Sequence, residues 1–256
     1  MIHPTAIIDP SAQLSADVEV GPYAVIGKHV SVGSGTRIGP HAVIDSWTKI
    51  GSDNRIFQFA SVGAPPQDLK YAGEETFLEI GDRNTIREFA TLHRGTKDGG
   101  GVTRVGSGCL LMAYSHVAHD CMVHDRVILA NGATLAGHVE VEQQAILGGL
   151  AAVHQFCRVG CHTMVSGGAM IVQDIPPYTI AQGDRAKTMG LNTIGLKRRG
   201  FSEATLKGLK SAYRLVFRSG LRLEDALCQI DEELEQTPEL NHFVNFIKQS
   251  ERGIAR

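Results

Sequence analysis

VGSGCLLMAYSHVAHDCMVHDRVILANGATLAGHVEVEQQAILGGLAAVHQFCRVGCHTMVSGGAMIVQDI, residues 105–175, carries an aliphatic residue at every sixth position. The series is Val105, Leu111, Val117, Val123, Leu129, Leu135, Val141, Leu147, Val153, Val159, Val165 and Ile171. Four residues after each stands something small or β-branched, from Cys109 and Ser115 through Ala145 and Ala151 to Ala169 and Ile175. A helix repeats every 3.6 residues and a strand every 2.0, so neither produces this spacing. A coiling solenoid does, because each turn stacks like residues on like and buries one continuous core. If three hexads close one turn, residues eighteen apart share a face, the geometry of a hexapeptide parallel β-helix.

The same register extends back to Ile2 through Ile8, Leu14, Val20, Ile26, Val32, Ile38, Ile44, Ile50, Ile56 and Val62. Glycine often follows the aliphatic residue (Gly21, Gly27, Gly33, Gly39, Gly51, Gly63), which reads as a tight corner between short strands. Two stretches break the period: APPQDLKYAGEETFLE (64–79), and HRGTKDGGGVTR (93–104) after Leu92. Both are expected to be loops thrown out from a corner of the coil, where binding groups commonly sit. Pro176-Pro177 is expected to end the solenoid, since paired prolines cannot continue a strand ladder. Beyond Asn192 the period becomes helical. Ser202 is a cap for a helix carrying Leu206, Leu209, Tyr213 and Val216, ended by Gly220. Leu223, Leu227, Ile230 and Leu234 mark a second helix, and Thr237-Pro238 opens a third with Leu240, Phe243 and Ile247. The division is therefore a coil over 1–190 and a helical cap over 191–256.

Composition narrows the function. The chain is 43% hydrophobic with 6% aromatics, a core of branched and small residues rather than rings. A formal charge of −2 argues against a nucleic-acid binder. No apolar run is long enough to span a membrane, and the start, MIHPTAIIDP, lacks the features of a signal peptide. Three of the five cysteines (Cys109, Cys121, Cys157) fall on the small inward slot, so all are expected as thiols in a cytoplasmic protein.

The chemistry-bearing residues cluster. Val117, Leu135 and Val153 begin hexads on one face, which places His119, Asp120, His138 and His154 along that face, with His116 at its edge. A histidine beside a carboxylate is a working general base at neutral pH. The same residues would also suit a zinc lyase built on a β-helix, which metal analysis would separate. A solenoid without catalysis is a third reading. Lone surface histidines are ordinarily decorative, and His3, His29, His41 and His242 are read so.

QDLKYAGE (67–74), LHRGT (92–96), VAHDC (117–121), LANGATLAGHV (129–139), AVHQF (152–156) and LKRRGF (196–201) resemble the UDP-N-acetylglucosamine 3-O-acyltransferase family, in order and across nearly the whole chain. That resemblance implies a left-handed coil, although crossovers between parallel strands are right-handed in about 98% of cases. It also implies transfer of a (3R)-3-hydroxyacyl group from acyl carrier protein to the 3-hydroxyl of UDP-N-acetylglucosamine, the first step of lipid A biosynthesis. No cofactor or metal is implied. His119 then matches the general base, Asp120 the residue holding its ring, and Gly137 the oxyanion donor through its N–H. His116, His138, His154 and Gln155 match positions around the substrate. Asp68, Lys70, His93, Asn192, Arg198 and Arg199 match groups holding sugar or nucleotide, and Gly167 matches the floor of the acyl groove. Ile194 departs from the family, which often carries glutamate there. The family is a homotrimer with sites between subunits. The basic run from Lys197 to Arg222, with Glu203 as its one acid, reads as a landing surface for the acidic carrier protein.

Overall fold

A computed structural model describes all 256 residues. Twenty-seven short strands form three sheets, of nine, eight and ten strands, that are the sides of a triangular prism. The first face holds Ile7–Ile8 through Met170–Ile171, the second Gln13–Leu14 through Arg158–Val159, and the third Glu19–Val20 through Lys187–Leu191. Neighbours on a face are parallel and eighteen residues apart, as Ile7 opposite Val25 and Val25 opposite Val43. The hexad aliphatics point inward: Ile26, Ile44, Val62, Leu92, Val117, Leu135 and Val153 are buried members of one 44-residue core. Burying one such side chain is worth about 1.5–3 kcal/mol, and the stack repeats that gain at every corner.

Before the prolines, the register jumps at the two interruptions, and past the prolines it shortens to sixteen, with Met164 opposite Ile180. Ser61 pairs with Thr91, thirty residues on, and Thr91 with His116, twenty-five on. Both loops therefore leave the prism along one edge, between the first and second faces.

Apart from Gly63, whose φ is +88°, the corner glycines have a different reason from the one the sequence suggests. Gly33 keeps an ordinary φ, but a Cβ there would lie 2.7 Å from the Gly51 carbonyl carbon, so the next coil leaves it no room. The left-handed position falls two residues later in the corner and is mostly not glycine: Tyr23, His41, Asp120, His138 and Phe156 all have φ near +60°. Such residues cost about 1–2 kcal/mol each, met here by the rigid stack.

The prolines also end less than expected. Ile175 bridges Val159 on the second face, Asp174 beside it bridges Ile254 and Met170 on the first face bridges Asp184, while the third face gains full strands. Thr179–Gln182 pairs in parallel with Met164–Val165 and then turns back antiparallel onto Lys187–Leu191. Four helices follow: α1 (Thr193–Arg198), α2 (Glu203–Arg218), α3 (Leu223–Glu233) and α4 (Pro238–Lys248). The Ser202 and Thr237 hydroxyls cap α2 and α4, accepting from Thr205 and Leu240 N–H at 3.0 and 3.2 Å. The short α1 has no counterpart among the expected helices.

The cap shares its core with the coil, since Cys161 and Tyr178 pack among Leu206, Leu209, Phe243 and Ile247. His242, read as decorative, is a tether instead. Its Nε2 lies 2.7 Å from the buried Glu142 carboxylate, which also accepts from the Cys161 N–H at 2.8 Å. His41 is not free either; it stacks between Tyr23 and Phe59 at 5.1 and 5.3 Å.

Candidate functional site

The histidines gather on an edge, not on a flat face. Of His116, His119, His138 and His154, only His116 lies on the first face, in the strand His116–Val117. His119, Asp120, His138 and His154 stand in the corners that follow, between the first and second faces. These corners stack at eighteen-residue intervals, so Asp120, His138 and Phe156 form one column and His119, Gly137 and Gln155 the next.

Asp120 is the centre of the site. Its carboxylate is 1% exposed, and its Oδ2 lies 2.8 Å from His119 Nδ1. Thr96, in the second loop, donates from its N–H to Oδ1 at 2.8 Å and from its hydroxyl to Oδ2 at 2.7 Å. The Asp120 N–H donates to the Thr103 hydroxyl at 2.7 Å. His138 lies edge-on to His119, centroids 5.2 Å apart, with its Nε2 3.7 Å from Oδ2 and its face on Phe156 at 4.5 Å. The ligand atoms of His119, Asp120 and His138 lie close enough to hold a cation. Both carboxylate oxygens already accept N–H or O–H donors, a network suited to moving protons.

With Nδ1 on Asp120, His119 turns Nε2 away from the carboxylate. Gly137 lies directly against that ring, and a Cβ on it would be 2.7 Å from Nε2. The Gly137 N–H donates to no group in the chain. His119 and Gln155, its column neighbours, share that free N–H, so position relative to Nε2 is what distinguishes Gly137.

His93 and His116 form the floor beside this pair. His93 is 5% exposed and meets His116 edge-on at 4.8 Å. Burial, then the charges of His116, His119 and Arg94, pushes its pKa down to about 4, so it is neutral. Burial and His119 likewise lower that of His116, whose Nδ1 is fixed by the Thr91 hydroxyl at 2.7 Å. His154 is exposed, with Nδ1 near the Gln155 carbonyl at 3.1 Å.

The remaining expected residues are elsewhere in the chain. Asp68 and Lys70 lie in the first loop, where the Asp68 carboxylate accepts from the Lys70 N–H at 2.9 Å. Buried Arg94 anchors that loop, donating to the Gly63 carbonyl at 2.7 Å and the Tyr71 hydroxyl at 3.1 Å. Asn192, Arg198 and Arg199 belong to α1, over the edge between the second and third faces. Asn192 is buried and caps the helix: its oxygen accepts from Gly195 N–H at 3.2 Å and its NH₂ donates to the His162 carbonyl at 2.9 Å. Within one chain its side chain is thus committed to structure, unlike the expectation that it holds substrate. Arg199 donates to the Gln144 carbonyl at 3.0 Å, while Arg198 and Ile194 are exposed. Gly167 lies on the third edge, between the third and first faces. It is exposed and keeps an ordinary φ; its neighbour Gly168 is the left-handed one, at +69°.

Sequence reasoning missed Thr96, Thr103 and Phe156. Phe156 was readable, being eighteen residues from His138. Nothing in the spacing links Thr96 to Asp120.

Known proteins supply the last observation. A family model described as UDP-N-acetylglucosamine O-acyltransferase, domain 2, matches residues 174–255. Another, described as bacterial transferase hexapeptide (six repeats), matches 103–137. The acyl-[acyl-carrier-protein]–UDP-N-acetylglucosamine O-acyltransferases of Janthinobacterium sp. (strain Marseille) and Myxococcus xanthus are each 56% identical, over 100% of this chain and 99% of theirs. Among solved structures, LpxA from Acinetobacter baumannii superposes with a TM-score of 0.97 at 48% identity, covering 100% of this chain and 99% of that one. LpxA of Bacteroides fragilis, a UDP-N-acetylglucosamine acyltransferase, gives 0.98 at 43%, with full coverage of both. The fold is thus the left-handed parallel β-helix with a small helical C-terminal domain.

Proposed function

The chain belongs to the UDP-N-acetylglucosamine O-acyltransferase family, and on that premise we propose that it moves a (3R)-3-hydroxyacyl group from acyl carrier protein to the 3-hydroxyl of UDP-N-acetylglucosamine, with His119 as general base. The observation that carries this reading is the juxtaposition of three groups: Asp120 on His119 Nδ1, a free Nε2, and the unpaired Gly137 N–H beside it. An alcohol attacking a thioester needs a base for its proton and a donor for the oxyanion. Nε2 takes the proton as the C–O bond forms, and Asp120 stabilises the resulting imidazolium. The Gly137 N–H receives the negative oxygen. As the tetrahedral intermediate collapses, the C–S bond breaks and His119 returns the proton to the leaving thiolate. His116, His138, His154 and Gln155 surround this point and orient the sugar.

A homotrimer accounts for the residues one chain keeps apart. The upper part of the third face presents Leu110, Ile128, Ile146, Met164 and Ile180, all half-buried and apolar. The first face presents Thr134, Ala152 and Met170. Between them runs an edge of stacked rings, with Phe59–Phe89 and Phe89–Tyr114 5.2 and 4.9 Å apart. The second face instead carries Lys49, Glu79, Arg104 and Arg158. Packing the third face of one copy on the first face of the next, ring edges inward, brings α1 of one copy to the His119 edge of another. Arg198 and Arg199 then reach the nucleotide diphosphate, whose oxygens suit a guanidinium fork. Ile194 withdraws one polar contact there. The exposed stripe of Lys207, Lys210, Arg214 and Arg218 along α2 is the landing surface for the carrier protein. Five free thiols, with Cys228 exposed, suit the reducing cytoplasm, and no helix is long and apolar enough to cross a membrane.

The test is His119→Ala, assayed by mass spectrometry of the acylated nucleotide sugar. Turnover should fall about 10²–10⁴-fold with the melting temperature nearly unchanged, since the ring lies at the surface of the core. Near-normal turnover removes His119 from the base role.

A further inference from the structure

We propose that Thr96 is a positioning residue for acyl transfer, latching the Asp120 carboxylate so that His119 keeps its proton on Nδ1 and presents a bare Nε2. The inference rests on the reading of His119 given above and adds the group that sets its geometry.

Asp120 has two histidine suitors. His119 Nδ1 is 2.8 Å from Oδ2 and His138 Nε2 is 3.7 Å from the same oxygen. A carboxylate in a tight corner can swing between them by rotating about its side-chain bonds. Thr96 removes that freedom by gripping both oxygens at once, the N–H on Oδ1 and the hydroxyl on Oδ2. The hydroxyl is itself aimed, because it accepts the Gly99 N–H at 3.2 Å and so directs its own proton to Oδ2. Loop closure over the carboxylate depends on Gly99, where any Cβ would collide with the Asp120 carboxylate. Thr96 is 5% exposed, so it has no surface to offer a substrate. Any effect it has on catalysis passes through Asp120. The second loop, which the six-residue period leaves out, thus completes the catalytic corner.

The experiment uses full-length Thr96→Val and Thr96→Ser with both natural substrates. Val keeps the N–H and the volume but loses the hydroxyl. One hydrogen bond to a buried charge corresponds to a fall in kcat of about 10–100-fold. KM for both substrates should stay within about twofold, and Ser should restore turnover. In an Asp120→Asn background, Thr96→Val should add little, because the two changes remove one unit. The ¹⁵N shifts of His119 should show the Nδ1–H form in wild type and Thr96→Ser, and a mixture in Thr96→Val. Thr96→Ala, with less bulk than Val, should repeat the loss if Val disturbs folding. Wild-type kcat in both Val and Ala, or a full additive loss on Asp120→Asn, overturns the proposal. If His119→Ala is itself active, the base assignment fails; if only the Thr96 variants are active, the latch alone fails.

Discussion

Adding one methyl group at Gly137 tests the geometry of the site more sharply than removing its histidine. The Cβ of Gly137→Ala would sit 2.5 Å from His119 Cε1 and 2.7 Å from Nε2. Ordinary contact for such atoms begins near 3.4 Å, so the ring must retreat by about 0.7–0.9 Å or turn about its Cβ–Cγ bond. Retreat is limited because Nδ1 is pinned to Asp120, itself held by Thr96. A displacement of about 1 Å at a reacting atom is worth about 10²-fold in rate. Gly137 does not need a positive φ, so the backbone accepts alanine, and the N–H is retained. Expected is a kcat about 10²-fold lower, a melting temperature near wild type, and nucleotide-sugar binding little changed. Steady-state kinetics with acyl carrier thioester and a calorimetric melt measure both. A kcat within about twofold of wild type would show that Gly137 and His119 do not act at the same reacting centre.

Reversing Arg214 and Arg218 to Glu should raise KM for the carrier protein and flatten the salt dependence of kcat/KM, leaving nucleotide-sugar binding intact; an unchanged salt slope places docking elsewhere. Acid should destabilise the fold through two buried histidines, His93 and His162, both held at about 4 by burial and then by His116 and Arg199 respectively. Unfolded imidazoles take up protons below about pH 6.5 and the folded ones do not, so stability is full above that pH and lost as pH falls toward 4. Each histidine contributes about 3 kcal/mol of that loss, and a melting temperature flat between about pH 7 and 4.5 would refute it. Gly167→Met should shift preference from a donor of roughly twelve to fourteen carbons toward a shorter one, at about 0.8 kcal/mol per buried methylene; an unchanged ranking by competition assay excludes Gly167 as the floor.

How much of this was legible depends on how locally each contact is encoded. The coil was readable because a period of six, closed three times, forces Ile7 opposite Val25 and Leu135 opposite Val153. The same arithmetic placed His138 over Asp120 and would have placed Phe156. It erred on which surface they occupy, because residues three and four of a hexad lie past the strand and in the corner. It erred also at the glycines, since the pattern does not separate a left-handed φ from a close approach. Gly167 and Gly168 stand side by side, and only the second is left-handed. Where the period breaks, the sequence loses its ruler. Thr96 reaches Asp120 across a loop that changes the register from eighteen to twenty-five, and no spacing rule survives that change. His242 reaches Glu142 across a hundred residues, through the docking of α4 on the coil. Yet these two non-periodic contacts hold the parts on which the proposed function depends: one fixes the Asp120 carboxylate, the other ties the cap that carries the basic stripe. The repeat builds a rigid edge, and its departures from repetition turn that edge into a site. On the proposed reading, a histidine pair on an uninterrupted coil would lack a latch for its carboxylate, because Thr96 reaches Asp120 from the second loop, which leaves the prism along that same edge.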